Sequence, residues 1–412
     1  MNPVNRQDEI KELVDKARLS VISSEWYEVL STNYGVLYFL IKLIFVSSLE
    51  IITCDNMRLV RFSYKEAFWE LSQPIPLQEV NLLVGKNAVG KSKVIEAISK
   101  IVNYILQLVE IREFDFLSSS TLEFEDNGSM IKYQFAYANG VITEEKLRVD
   151  QTDLLERNTQ ETLLHGENIN PPENKLTLHV RRDTKQYPYF EKIVSWAENV
   201  YGQRFNEMDA DRSTKTDSYL SLQHKENLFA MLKALPEESK NKIISQAHEL
   251  GYRITSIRLV ELAEVLKLVF FDEEGVKDSL LINNLSKGMC RAISLLIHME
   301  YISKQEKPSL WLIDDLGEGL DYDRVTKLGK LLFNFCLEHG IQLIVSSNDT
   351  FLMDIVDLKY WNILQREGGK VTSINIQNYP EIFEDFKFTG LSNFDFFSSD
   401  YIARHILKEE KK

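Results

Sequence analysis

The chain is short of everything that would cross-link it or anchor it. Three cysteines, Cys54, Cys290 and Cys336, lie far apart in 412 residues. That spacing excludes a disulfide framework or a cysteine metal box and suits core thiols in a reducing cytoplasm. Positive charge is also in deficit. Forty-eight Lys and Arg against 62 Asp and Glu leave a net charge of −14, so the molecule as a whole repels polyanions and any nucleic-acid contact needs a local basic face. Long apolar runs are missing. The one run that stands out, Val36 to Val46, is interrupted by Lys42 and falls short of the ~20 residues that span a bilayer. It lies too far behind the charged stretch Asp8 to Glu12 to be a signal peptide, and it reads as a buried or partner-covered helix with no membrane role. Sustained heptads are absent too: Pro171-Pro172, Pro188, Pro236 and Gly251 punctuate the middle of the chain, which excludes long coiled-coil arms. With 44% apolar and 27% charged residues, what remains is an ordinary soluble composition of two or three domain-sized units.

What is present is concentrated in one octapeptide. Gly85-Lys86-Asn87-Ala88-Val89-Gly90-Lys91-Ser92 has the form GxxxxGKS, follows the apolar run Val80 to Val84, and precedes a helical stretch from Lys93 to Leu106. A strand that stops at Val84 and a helix that starts near Gly90 leave a short loop whose backbone N–H groups converge on one anion. The glycines permit the curl. Lys91 then reaches the β- and γ-phosphates of ATP, and the Ser92 hydroxyl ligates Mg²⁺.

Two further segments suit that chemistry. Leu310-Trp311-Leu312-Ile313-Asp314-Asp315 is a buried-strand run ending in two carboxylates: Asp314 is placed to hold Mg²⁺ through water, and Asp315 to orient the attacking water or take its proton. In Asn283 to Arg291, Ser286 reads as the N-cap of a helix with Met289, Ile293, Leu296 and Ile297 on one side. Such a helix start is a second anion site, one that cannot fold onto its own phosphate loop if the two flank separate lobes.

The order of these segments resembles the ABC-type ATPases: phosphate loop, then Leu285-Ser286-Lys287-Gly288 in place of the signature, Leu310 to Asp315 as Walker B, Gly319-Leu320-Asp321 as D-loop, and Gln342 to Asp349 as the switch strand. The resemblance covers roughly Met57 to Ile363. It implies an α/β fold of the P-loop NTPase, ABC-type head kind, with a mixed central sheet, an antiparallel side sheet and a helical lobe. It also implies a homodimer or higher oligomer in which Ser286 of one copy, with Gly288 and the D-loop Asp321, joins the γ-phosphate held by Lys91 of the other. Ser92 and Ser286 are 194 positions apart, and the loop has the GxN beginning common in SMC, RecF-like and OLD-type heads. The chain is thus most similar to that branch, which includes AAA-labelled ATPases of bacterial repair and defence. Only about 60 residues follow the switch strand, with no room or signature for an appended nuclease, so an effector would be a separate protein.

Two departures bear on rate. Family heads have Glu after the Walker B Asp, whereas Asp315 is one methylene shorter, about an ångström of reach where a misplaced group can cost about 10²-fold. Their switch strands offer His, whereas Asn348 can donate to a phosphate but carries no charge. Both point to slow turnover and a persistent dimer. The competing classes are a scaffold that binds ATP and hardly hydrolyses it and, disfavoured by the long insertion, a transporter subunit.

The chain divides into an extension at 1–56 (an appendage, or an overlong translation start), a head segment at 57–182, a mainly helical lobe at 183–258 and a second head segment at 259–412. The phosphate-loop and Walker B strands are expected side by side. Met130 to Tyr137 before Asn139-Gly140 signals an antiparallel hairpin, and Val265 to Ile282 a second hairpin. Gln107 and Gln134 are weak Q-loop candidates that read better as structural. Arg58, Arg61 and Lys65 could contact nucleotide or be plain surface charge, and His179 to Lys185 could face a polyanion or a partner or guard a strand edge. The aromatic tail from Phe383 to Phe397 reads as a hydrophobic seal.

Overall fold

Five parallel strands form one end of the larger sheet, in the order Trp361–Glu367, Val80–Val84, Gln342–Ser346, Leu310–Ile313, Val200–Gln203. The computed structural model describes residues 57–111, 117–203, 228–262, 266–305, 310–399 and 401–402; the extension at 1–56, with Cys54 and the run from 36 to 46, lies outside them. Every residue of Val80–Val84, Gln342–Ser346 and Leu310–Ile313 is buried. That is why these segments read as unbroken apolar runs: both faces of a parallel sheet are covered. Leu82, Trp311, Ile313, Leu343 and Val345 join one core with the helices Lys287–Ile302 and Tyr322–His339, while Leu83, Leu310, Leu312 and Ile344 join a second with the helices Lys91–Ile105 and Pro188–Glu198. Alternation along each strand sends neighbours to opposite layers.

The strand order corrects one expectation. The phosphate-loop and Walker B strands are not adjacent: Gln342–Ser346 lies between them, with Val345 opposite both Leu82 and Ile313. This register sets Ser346 beside the residue that follows Ile313, namely Asp314.

Residues 118–157 form the expected antiparallel wing, Ser118–Asp126, Ser129–Ala138, Val141–Val149 and Thr152–Arg157. Asn127-Gly128 and Asn139-Gly140 turn two of its hairpins with φ of 51° and 87°, and 51° and 82°, the paired positive values that match strand twist. The wing is not a separate layer. Ser118–Asp126 pairs with Arg58–Glu66, making one mixed sheet of 15 strands. Inside the wing Glu145 is fully buried and accepts from Tyr133 Oη at 2.7 Å, Thr177 Oγ1 at 2.8 Å and Thr177 N at 2.8 Å, with Arg157 Nη1 at 3.4 Å. Glu145→Gln sets an amide N–H₂ among donors and is expected to cost about 2 kcal/mol; urea unfolding midpoints of the two proteins check this.

The segment from 183 to 258 is helical only in part. Leu228–Ala234 and Glu237–Glu249 are helices broken at Leu235-Pro236, but Val200–Gln203 joins the central sheet and Ile254–Leu262 is a strand. The latter pairs with Leu266–Glu273, which returns through Leu280–Leu281 as the second hairpin.

Several charged segments are taken up by local partners. Arg58 pairs with Glu79, Arg61 with Glu123 at 3.7 Å and Lys65 with Glu70 at 2.9 Å, which favours plain surface charge. His179 Nε2 donates to the carbonyls of Tyr104 and Ile105 at 3.0 and 3.1 Å, closing the end of the phosphate-loop helix. Burial pushes its pKa down to about 4, so the ring is a neutral donor. Arg182 forks onto Glu191. In the tail, Phe383, Phe386 and Phe396 are buried against one another and Phe388 is 88% exposed, so most of the aromatic cluster seals the first core. Cys290 and Cys336 are buried in the first core. Among the described residues no helix is long and apolar enough to cross a membrane.

Candidate nucleotide site

The phosphate loop folds as its spacing requires. Ala88 takes a left-handed φ of 65° and Gly90 a φ of 113°. A Cβ on Gly90 would lie 2.8 Å from Nε1 of the buried Trp69, so glycine is needed for both conformation and space. Gly90 starts the helix Lys91–Ile105 without a side-chain cap, and the first turn holds no acidic residue. The helix's leading N–H groups are therefore left for an anion.

A cleft of about 480 Å³ opens over this helix start. Asn87, Ala88, Gly90, Lys91 and Ser92 of the loop and helix start line it, together with Asp315, Ser346 and Asn348 from the C-terminal ends of the neighbouring strands. Lys91 is buried, and its Nζ donates to the carbonyls of Gly85 at 2.8 Å and Lys86 at 3.2 Å. Burial pushes its pKa down, against the opposing pull of Asp315 and Asp314. Gly85, Lys86 and Val89 belong to the loop and are not among the lining residues.

The floor is a small network of oxygens. Ser92 Oγ donates to Asp314 Oδ1 at 3.0 Å, Ser346 Oγ donates to the same oxygen at 2.5 Å, and the Asp315 N–H donates to Ser346 Oγ at 2.8 Å. A hydroxyl and a carboxylate converging beside an anion cradle are the hard donors Mg²⁺ takes. Ser92 and Asp314 would hold that ion, whose chemistry is to neutralise charge on the phosphates. Asp315 stands at a left-handed φ of 55°; burial first and then Glu318 raise its pKa, with Arg291 and Lys91 opposing.

The remaining expected residues lie elsewhere. Ser286 is exposed, accepts from Met289 N at 3.3 Å as N-cap of Lys287–Ile302, and is not among the residues lining the cleft; nor is Gly288, which is buried against the D-loop carbonyl of Gly319. Asp321 caps Tyr322–His339 by accepting from Arg324 N at 3.1 Å and pairs with the Arg324 guanidinium. Neither Gln107 nor Gln134 lines the cleft. A larger hollow of about 610 Å³ on the wing includes Lys65, Glu144, Lys146 and Glu156; its charges pair locally, as in Lys146–Glu144 at 2.5 Å, and it holds no part of the loop.

Arg366 and the role of Ser346 escape the sequence reading. Arg366 lines the cleft, with Nη1 donating to Ala88 O at 3.1 Å and Nε to Gly368 O at 2.7 Å. The polar pair Ser346-Ser347 closing an apolar strand is the one local signal for Ser346. Nothing local marks Arg366, which the parallel pairing of Ile363 with Val84 brings to the loop.

A phosphate loop on the second of five parallel strands, a carboxylate pair two strands away and a capped helix start before it define a P-loop nucleotide-binding fold. No described helix exceeds the 18 residues of Tyr322–His339, so among the described residues there are no coiled-coil arms. The family described as "AAA domain, putative AbiEii toxin, Type IV TA system" matches residues 80–354, well over half of the chain, and the chain belongs to that family. Among solved structures, the chain is similar to an Smc head bound to the C-winged helix domain of ScpA (15% identity, TM-score 0.48, covering 79% of this chain and 99% of that one). It is also similar to the SMC head domain from Thermotoga maritima (14%, 0.42, 77% and 98%). A third is the Smc head domain with an extended coiled coil bound to the C-terminal domain of ScpA, from Pyrococcus furiosus (14%, 0.46, 80% and 100%). No curated protein matches the chain.

Proposed function

We propose that this protein binds ATP with Mg²⁺ and hydrolyses it slowly, and that two copies close head to tail on the nucleotide. Lys91 and the loop N–H groups hold the phosphates, Ser92 and Asp314 the metal ion, Asp315 takes the proton of the attacking water, and Asn348 donates to the γ-phosphate. Ser286, Gly288 and Asp321 complete the site from the second copy. The observation that carries this reading is the separation within one chain: an uncapped helix start, Lys91, Ser92 and Asp315 line one cleft, with Asp314 hydrogen-bonded to Ser92 at its floor, while the second helix start at Ser286 is exposed outside it. The two head segments, 57–182 and 259–412, then form one body around the 183–258 insertion. We place the activity in bacterial repair or phage defence with a separate effector, and the toxin–antitoxin system in the family's description suits defence better than transport. Turnover falls below about 10 s⁻¹, the median of enzymes generally.

Sedimentation velocity with ATP and Mg²⁺ tests the pairing. The 47.9 kDa chain is expected to double in mass under conditions that block hydrolysis, and Ser286→Arg to stay single while still binding a fluorescent ATP analogue. A chain that binds ATP and never pairs would sink the reading.

A further inference from the structure

Arg291 is 5% exposed, a burial at which a guanidinium needs every donor met. It sits one turn into the helix that Ser286 caps, yet three of its hydrogen bonds leave that helix. Nη1 donates to the Asp315 carbonyl at 3.2 Å and to the Glu318 carbonyl, and Nη2 pairs with Glu318 Oε2 at 2.9 Å. All three acceptors belong to the turn between the Walker B strand and the D-loop. The Asp315 peptide is thus clamped on both sides, its N–H by Ser346 Oγ at 2.8 Å and its carbonyl by Arg291. Between the two clamps the backbone holds the left-handed φ of 55°, a conformation that costs a non-glycine residue free energy and persists only where its surroundings enforce it.

We infer that Arg291 is a positioning residue for ATP hydrolysis: it fixes the Asp315 carboxylate in the cleft and ties that carboxylate to the helix bearing Ser286. The inference rests on the proposed role of Asp315. Its consequence is directional. A second copy's nucleotide gripping the Ser286 end pulls on a helix whose next turn holds the hydrolytic carboxylate of the same chain, so closure on one nucleotide sets the geometry at the other. Lysine cannot replace this fork, because an ammonium is a point donor that cannot span a carbonyl and a carboxylate in one plane.

Arg291→Lys and Glu318→Gln, each with and without Asp315→Asn, test it by steady-state phosphate release, equilibrium binding of a fluorescent ATP analogue and thermal melting. Arg291→Lys is expected to lower kcat about 10- to 100-fold, the cost of a reacting group misplaced by about an ångström, while the analogue's Kd stays within about threefold. Glu318→Gln removes one acceptor near the surface and lowers kcat by a smaller factor. In the Asp315→Asn background neither substitution lowers the residual rate further, because the effect runs through Asp315. An unchanged kcat, a parallel loss of binding, or the same additional loss on top of Asp315→Asn would overturn the inference. If Arg291→Lys does not fold, the same readouts on Glu318→Gln decide. If Asp315→Asn alone leaves hydrolysis intact, the proposed role of Asp315 fails on its own account and takes this inference with it.

Discussion

Asp315→Asn is expected to slow ATP turnover by about 10²- to 10³-fold, within the range that a positioned general base contributes, while leaving nucleotide binding in place. The substitution is nearly isosteric and, after glycine, Asn is among the residues most tolerant of positive φ, so the turn at φ 55° survives. The carboxylate is what goes. Asp315 lines the same cleft as Lys91 and Ser92, where an amide can still hydrogen-bond water but cannot take its proton. With hydrolysis blocked and both grips intact, paired chains should accumulate on ATP. Phosphate release and sedimentation of the same sample check the two halves of the result. Turnover within about threefold of the parent would remove Asp315 from the mechanism.

Gly288→Ala is expected to destabilise the fold by about 3 kcal/mol, the upper end of ordinary overpacking, and to abolish pairing on ATP. A Cβ there would lie 2.2 Å from the Gly319 carbonyl oxygen, 3.1 Å from its carbon and 3.3 Å from Leu320 Cδ2. The nearest obstacle is backbone, so no rotamer change relieves it, and the signature helix must draw back from the D-loop. That retreat also strains the Arg291 contacts to residues 315 and 318 one turn on. A lower melting midpoint, together with loss of the ATP-driven mass increase, is the expected pair of results. Normal pairing would show that this close approach has no part in closure.

The loop, the Asp pair and the Ser286 cap were legible because each is contiguous: strand, turn and helix start lie within about a dozen residues, and local sterics decide them. The wing hairpins were legible for the same reason, through Asn-Gly turns. The order of the central strands was not. Val80–Val84, Gln342–Ser346 and Leu310–Ile313 are all fully buried apolar runs, and nothing in such a run names its neighbour. Arg366 stayed invisible because it reaches Ala88 across 278 residues. Residues 254–258 fall at the end of the expected helical lobe, yet Ile254–Leu262 pairs along nearly its whole length with Leu266–Glu273, and that contact is absent from a local window.

The wing's lack of any break from the central sheet has a mechanical meaning. Arg58–Glu66 is hydrogen-bonded to the wing along one edge, and its last residue, Glu66, reaches Lys93 in the phosphate-loop helix at 2.7 Å. Anything that grasps the outer hairpins therefore pulls on one continuous ladder of hydrogen-bonded strands whose inner edge is tied to the phosphate-loop helix. A load at the rim would be felt there as torque.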